Sequence, residues 1–191
     1  MDRHKPINSE PGILKLSHAQ VFLYLLLAVV TILFLFLTNA YVFRMNFEDW
    51  QPLAVPSLLW VNTCSLVVAS MGMGWAARAA KANNKNNLKI GLFVGGLFAL
   101  FFLTGQFLAW QQLIAYGYFL ADNPANTFFY LITALHGLHI SGGIVAWIVI
   151  TKKSWKTDDA KSRSAQVSLL ATYWHYLLLI WVMMFGLFLS T

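Results

Sequence analysis

The chain has 191 residues, of which 59% are apolar and 10% are charged, and its formal net charge is +6. Soluble domains carry roughly 25% charged residues, so this composition excludes an ordinary water-soluble globular protein. The excess of Lys and Arg gives no support to nucleic-acid binding, because these residues flank long apolar runs instead of forming a separate basic domain.

Five apolar runs follow one another along the chain, and each reaches the ~20 residues that a helix needs to cross a ~30 Å hydrocarbon layer. Because no water is present there to satisfy the backbone, such runs must be helical. We therefore predict an all-α integral membrane protein, a bundle of five transmembrane helices. A cleaved signal peptide is the alternative for the first run, but a small-residue cleavage site is missing. A cytoplasmic segment, 1–18, precedes a membrane domain, 19–191, with spans at about 19–43, 53–77, 88–110, 127–150 and 167–190.

Basic residues lie almost entirely on one side of this predicted bundle. Twelve of the 13 fall before the first span or near the loops that follow the second and fourth spans, whereas Arg44 follows the first. Cytoplasmic loops carry the excess of Lys and Arg, so the amino terminus is predicted in the cytoplasm and the carboxyl terminus outside. Arg78 and Lys81, at the cytoplasmic end of the second span, are placed to hold anionic lipid headgroups.

Charged residues are missing from the depth of the spans. No Asp, Glu, Lys or Arg lies well inside any of them, whereas pumps and transporters usually keep ionisable groups there. Ion transport by this chain alone is therefore a weak alternative. Cys64 is the single cysteine, which excludes a disulfide or a thiolate metal cluster within the chain.

Neutral polar residues inside the spans are predicted to face other helices, because interhelical hydrogen bonds contribute roughly 0.6 kcal/mol on average. Small residues predict close helix packing in the third and fourth spans. They form the patterns Gly91-x-x-x-Gly95 in the third span and Gly137-x-x-x-Ser141 with Gly142 and Gly143 in the fourth. The polar residues are Asn62, Thr63 and Ser70 in the second span, Thr104 and Gln106 in the third, His136, His139 and Ser141 in the fourth, and His175 in the fifth.

The three histidines admit two interpretations. His136 and His139 are three residues apart and share one side of a helix, and His175 could approach them if the last two spans are antiparallel neighbours. Imidazole ligates haem and metals, but a bis-His haem needs two ligands at one depth on facing helices. Histidines that join helices or bind a lipid headgroup are favoured, and haem ligation is the alternative.

Three motifs, in the expected order, resemble the signature of haem-copper oxidase subunit III. The stretch 126–143 contains an aromatic run, a Thr and then His136-Gly-Leu-His139. The run 173–176, Tyr-Trp-His-Tyr, is similar to the Tyr-Trp-His motif of the family's last helix, and 59–72 contains Asn-Thr followed by Ser-Met-Gly. Five helices are typical of the shorter bacterial form.

This resemblance implies an accessory subunit of a cytochrome c or quinol oxidase in the bacterial inner membrane, with no catalytic residue and no metal site of its own. Haem and copper would belong to partner subunits, the catalytic subunit I and with it subunit II. Phospholipid would bind in a cleft between the helices, and the chain would support assembly and proton uptake of the catalytic subunit. The residues assigned to lipid binding or helix packing are Asn62, Thr63, Arg78, Gln106, His136, His139, Trp174, His175 and Tyr176.

Two other functions stay open at this point. One is a subunit III-like accessory protein of a nitric oxide reductase, which shares the helix pattern and differs in its partner. The other is a small haem b membrane protein, which would carry haem on the histidines of the spans.

Overall fold

The computed structural model describes residues 17–156 and 159–190. In these ranges five helices are long and apolar enough to cross a membrane, which confirms the predicted all-α bundle. Residues 1–16, most of the predicted cytoplasmic segment, lie outside the described residues. The helices are α1 (His18–Arg44), α2 (Leu58–Lys81), α3 (Lys85–Ala115), α4 (Pro124–Trp155) and α5 (Ser164–Leu189), with a 3₁₀ turn at Lys161–Arg163.

The helices and the apolar runs differ at their ends. α2 begins at Leu58 and not at residue 53, because the chain through Pro52 and Pro56 is not helical. α3 and α4 continue beyond their apolar runs at both ends. Their first turns are capped by Asn84 and Asn123, whose side chains accept backbone N–H groups.

α5 lies at the centre of the bundle and packs against α1, α2 and α4. α2 and α3 form the most intimate pair, and α4 packs against α3, α5 and α1. α1 is peripheral, since its buried residues form one narrow stripe facing α4 and α5. These residues are Leu23, Val30, Phe34 and Tyr41.

Small residues allow the backbones of α2 and α3 to touch. A Cβ added to Gly72 would lie 2.8 Å from the backbone nitrogen of Gly95, and one added to Gly91 would lie 2.7 Å from that of Ala76. The close packing predicted for Gly91-x-x-x-Gly95 is confirmed.

The fourth-span pattern behaves differently. Ser141 is exposed, and a Cβ on Gly137 would meet a side-chain atom of Leu103 at 3.9 Å, which is ordinary contact. The prediction that Gly137-x-x-x-Ser141 packs closely is wrong within this chain. Of the two glycines predicted with this pattern, Gly143 does pack closely, because its Cβ would lie 2.9 Å from the ring of Tyr173, whereas a Cβ on Gly142 would meet no described atom within 4 Å.

Hydrogen bonds tie the loops together at each end of the bundle. The backbone N–H of Lys161 donates to the side-chain oxygen of Asn83 at 3.0 Å, which joins the α2–α3 and α4–α5 connections. At the opposite end the Asn123 amide donates to the carbonyl oxygen of Gln51. The α1–α2 and α3–α4 connections therefore share that end.

Candidate functional site: a polar layer across the bundle

Polar residues of α2, α3 and α5 meet at one level of the bundle. The side-chain oxygen of Asn62 lies 2.0 Å from the position that a Cβ on Gly105 would occupy, so only glycine leaves room for it. Gln106 is the next residue of α3, and it is buried. On the adjacent side of α2, Trp181 Nε1 donates to Thr63 Oγ1 at 2.9 Å.

The pairing of α3 with α4 places His136 at the same level. Trp110 Nε1 donates to Thr133 Oγ1 at 3.0 Å. The two helices are antiparallel neighbours. Gln106 on α3 and His136 on α4 each lie one turn from this bond, toward the same end of the bundle. The polar layer therefore consists of Asn62, Thr63, Gln106, His136 and Trp181.

His136 is completely buried among aromatic rings. Its imidazole stacks on Trp181, with ring centroids 5.3 Å apart and planes inclined by 28°. The rings of Phe34 and Phe102 meet it edge to face at 6.2 Å and 5.8 Å. Through these ring contacts His136 on α4 is joined to α1, α3 and α5.

Several polar atoms of the layer have no hydrogen-bond partner among the described residues. They are the amide nitrogen of Asn62, both amide atoms of Gln106 and both ring nitrogens of His136. Each unsatisfied buried group costs about 1–3 kcal/mol. A buried polar group can fix the alignment of helices at a cost in stability.

The Tyr-Trp-His-Tyr run of α5 points in several directions. Tyr173 donates from its hydroxyl to the carbonyl oxygen of His139 on α4 at 2.8 Å, and its ring covers Gly143. Trp174 is completely buried. These two residues hold α5 against α4.

The other two residues of the run reach α2 and α1. His175 shares a hydrogen bond through Nδ1 with the hydroxyl of Ser70. The hydroxyl of Tyr176 lies 2.9 Å from that of Thr31 and donates to the carbonyl oxygen of Leu27 at 3.1 Å. Successive helical residues are turned by about 100°, so four consecutive side chains contact three neighbouring helices.

The three histidines do not form one cluster. His139 donates from Nδ1 to the carbonyl oxygen of Leu135 in its own helix at 2.7 Å, and its ring lies 5.7 Å from that of Phe34. The approach of His175 to the other two does not occur, because α5 turns that residue toward α2. Among residues 17–156 and 159–190 no group of three or more His, Cys, Asp or Glu could hold a metal ion.

Arg78 lies on the exposed side of α2, close to its carboxyl end. Its Nε donates to the carbonyl oxygen of Gly74, one turn earlier, at 3.4 Å. Lys81 ends the helix and is exposed. The Arg78 side chain thus folds back along α2, whereas Lys81 lies at the end of the helix.

A family model described as cytochrome c oxidase subunit III matches residues 36–190. The chain belongs to this family. A probable cytochrome c oxidase subunit 3 from Mycobacterium tuberculosis is 25% identical over 123 residues, which cover 64% of this chain and 61% of the relative. A probable cytochrome c oxidase subunit 3 from Nocardia farcinica is 26% identical over 146 residues, 72% of this chain and 70% of the relative. The cytochrome bo(3) ubiquinol oxidase subunit 3 of Pseudomonas aeruginosa is 26% identical over 125 residues, which cover 65% of this chain and 60% of the relative.

The family match confirms the resemblance stated from the motifs. It includes α2, α3, α4 and α5 in full and the end of α1, and hence every residue of the polar layer. The chain spans 61% of the length of the mycobacterial relatives.

Several residues of this subunit III family member carry interhelical bonds and were missing from the predicted set, among them Trp181 and Tyr173 of α5. Trp181 donates to Thr63, and Tyr173 donates to the backbone at His139. Trp181 follows Trp174 by seven residues, which is about two helical turns, and both rings are completely buried. This spacing was the signal for a buried aromatic face on α5.

A groove runs along the membrane-facing side of the subunit III chain, between α1, α4 and α5. Its volume is about 500 Å³ and its walls are almost entirely apolar. Gly142 and Ala146 line it on α4, and Lys153 and Gln166 lie toward the end of the bundle that carries the α4–α5 connection. It has the dimensions and chemistry to hold a hydrocarbon chain.

Proposed function

We propose that this chain is the accessory subunit III of a respiratory haem-copper terminal oxidase, a component of the oxidoreductase complex without an active site of its own. Subunit I, which would carry the catalytic haem and copper, and subunit II are the proposed partners. The observation that carries the proposal is the family match over residues 36–190. Relatives named as cytochrome c oxidase and as ubiquinol oxidase subunits both align with the chain, so the proposal concerns terminal oxidases as a class.

The proposed location is the bacterial inner membrane, with the amino terminus in the cytoplasm and the carboxyl terminus outside. Basic residues support this orientation. Arg78, Lys81, Lys85 and Lys89 lie near the α2–α3 connection, and Lys152, Lys153, Lys156, Lys161 and Arg163 lie near the α4–α5 connection, at the same end. Arg3, Lys5 and Lys15 lie outside the described residues.

The opposite end of the bundle carries one basic residue among the described residues, Arg44, as the proposed orientation requires. Arg44 makes two hydrogen bonds to the carboxylate of Asp49. These bonds hold the pKa of the exposed Asp49 carboxyl below its ordinary value, so the pair stays ionised and carries no net charge. Glu48 and Asp122 complete the acidic residues of the described loops at this end.

Phospholipid binding is the second part of the proposal. The groove between α1, α4 and α5 would take an acyl chain, and Lys153 at its end would attract an anionic headgroup, a contribution of about 1 kcal/mol per basic residue near a membrane surface. A lipid held in this way would fill the space between subunit III and its partner.

Proton uptake by the catalytic subunit would be supported indirectly. Among the described residues Asp159 is the one carboxylate at the proposed cytoplasmic end, so an array of acidic groups that collects protons is not supported there. The polar layer and the Tyr-Trp-His-Tyr run instead act by holding the five helices in one arrangement. Asn62, Thr63, Gln106, His136, His139, Trp174, His175 and Tyr176 are the proposed helix-packing residues.

The proposal is tested by comparing the oxidase with and without this chain. We expect the same haem spectrum in both preparations, because the redox groups lie in the partner subunits. We expect the depleted enzyme to lose activity in fewer turnovers, and the purified chain to restore the lifetime. A depleted preparation with altered haem bands, or one with an unchanged rate and lifetime, would count against an accessory role.

A further inference from the structure

His175 is a polar side chain exposed on the membrane-facing surface near the middle of a transmembrane helix. It lies about 16 Å along the axis from the first residue of α5, at the usual rise of 1.5 Å per residue. Polar groups in contact with lipid at such depth are costly and are normally turned toward a partner. The position of His175 therefore calls for a specific explanation.

The ring of His175 is fixed in place by α2. Ser70 occupies Nδ1, and the ring rests on Gly74, where an added Cβ would lie 3.1 Å from Nε2. Because a hydrogen bond to the serine uses one nitrogen, Nε2 is the atom left to interact with a group that approaches from outside the chain.

Arg78 brings a positive charge to the same place. Its Nε donates to the carbonyl oxygen of Gly74, the residue on which the His175 ring rests. No carboxylate of residues 17–156 or 159–190 forms an ion pair with it. An arginine near a helix end normally extends toward the headgroups, whereas this one folds back by one turn along α2.

The recess between Arg78, Gly74 and His175 thus presents one cation and one ring nitrogen to an anion inside the membrane. A lipid phosphate fits it poorly, because headgroups lie at the membrane surface and His175 lies near mid-helix. A carboxylate on a neighbouring helix can reach that depth, and pairing would remove the cost of burying its own charge. Met71 and Trp75 are exposed apolar residues at helical spacing from Arg78 on α2, and Leu179 is one turn from His175 on α5.

We infer that the α2–α5 face docks against a transmembrane helix of the larger partner subunit, and that an Asp or Glu of that helix enters the recess between Arg78 and His175. This inference rests on the proposed function, which supplies the partner. The carboxylate would pair with the guanidinium and accept a hydrogen bond from His175 Nε2. The rest of the face would exclude lipid from around this ion pair.

The first test is retention of the haem-copper subunits by tagged chains in mild detergent. Arg78→Gln and His175→Asn should each weaken retention by about tenfold, as loss of a polar pair from a helix interface implies. His175→Asn keeps an amide near Nδ1 for Ser70 and removes the outward nitrogen, whereas His175→Gln places an amide near Nε2 and should restore part of the retention. Lys81→Gln removes an equal charge from the exposed end of α2 and should have no effect.

A second measurement does not depend on these variants folding. A photo-cross-linking benzoylphenylalanine at Met71, which is 65% exposed, should form an adduct with the catalytic subunit in the intact complex. The same group at Val29 on α1, which is 64% exposed, supplies the background. An adduct at Met71 no stronger than that at Val29 overturns the inference.

The outcomes separate the two proposals. If the unaltered chain retains no haem-copper subunit, the proposed function fails and the inference fails with it. If the unaltered chain retains them and Arg78→Gln behaves like Lys81→Gln, the docking surface is wrong while the function stands. If Arg78→Gln keeps the partner and loses bound phospholipid, the occupant is a lipid phosphate and the inference is overturned.

Discussion

Replacing Gly91 by Ala should force α2 and α3 apart. The added Cβ would lie 2.7 Å from the backbone nitrogen of Ala76 and 2.9 Å from the carbonyl oxygen of Gly72, whereas carbon atoms in contact are comfortable at about 3.5–4.0 Å. The obstructing atoms are backbone, so the helices must separate by roughly 1 Å. Such overpacking costs about 1–3 kcal/mol.

Gly142→Ala is the matched control for this substitution. In a helix interior Ala is favoured over Gly by about 1 kcal/mol, and both variants gain that preference. No described atom lies within 4 Å of a Cβ on Gly142. The difference between the two variants therefore isolates the clash, and Gly91→Ala should be about 1–3 kcal/mol less stable than Gly142→Ala.

The assay is reversible unfolding of the purified chain in mixed micelles, followed by circular dichroism as the denaturing detergent increases. The free energy of unfolding should fall in the order Gly142→Ala, wild type, Gly91→Ala. Equal values for the two variants would show that α2 and α3 are not in backbone contact and would refute the packing described here.

Three further substitutions probe other parts of the bundle. Trp181→Phe should lower the free energy of unfolding by about 2 kcal/mol, because ring contacts and a hydrogen bond are lost. Thr63→Ala loses chiefly the same hydrogen bond and should cost roughly 0.6 kcal/mol. Equal losses for the two variants in the same micelle titration would contradict the account. Gly142→Leu should fill the lipid groove and reduce the amount of phospholipid per complex, measured by mass spectrometry. Ser141→Leu, at the neighbouring position, should leave that amount unchanged. Equal phospholipid content in the two variants would count against the groove as a lipid site. Changing Asn83, with φ 53°, to Gly or to Ala loses the bond from Lys161 in both cases, and the Ala variant should be about 1–2 kcal/mol less stable than the Gly variant. Thermal denaturation midpoints that coincide for the two variants would exclude backbone strain at this position.

The helices and many helix-facing residues could be predicted because hydropathy and helical spacing are local properties. The sequence could not identify which neighbour each face meets. Gly91-x-x-x-Gly95 and Gly137-x-x-x-Ser141 have equivalent spacing, yet the first contacts the α2 backbone and the second does not. That difference arises from α2 being antiparallel to α3 with Gly72 at the matching level, which is a property of two segments together.

The histidines illustrate the same limit. Depth along the helices suggested a possible approach of His175 to His136 and His139, but direction around the helix axis separates them. The position of α2 beside α5 supplies Ser70 as the partner of His175. The α1–α4–α5 groove was also beyond sequence reasoning, because its walls come from three helices whose neighbours were unknown.

The most direct test of the central claim is to purify the tagged chain from its native membrane in mild detergent. The reduced-minus-oxidised spectrum is recorded, the accompanying proteins are identified, and the chain is then stripped free and measured again. The account predicts that haem-copper oxidase subunits accompany it and that the haem bands leave with them. A chain that arrives alone and keeps its haem bands would contradict the account, and histidine ligation would then have to be reconsidered.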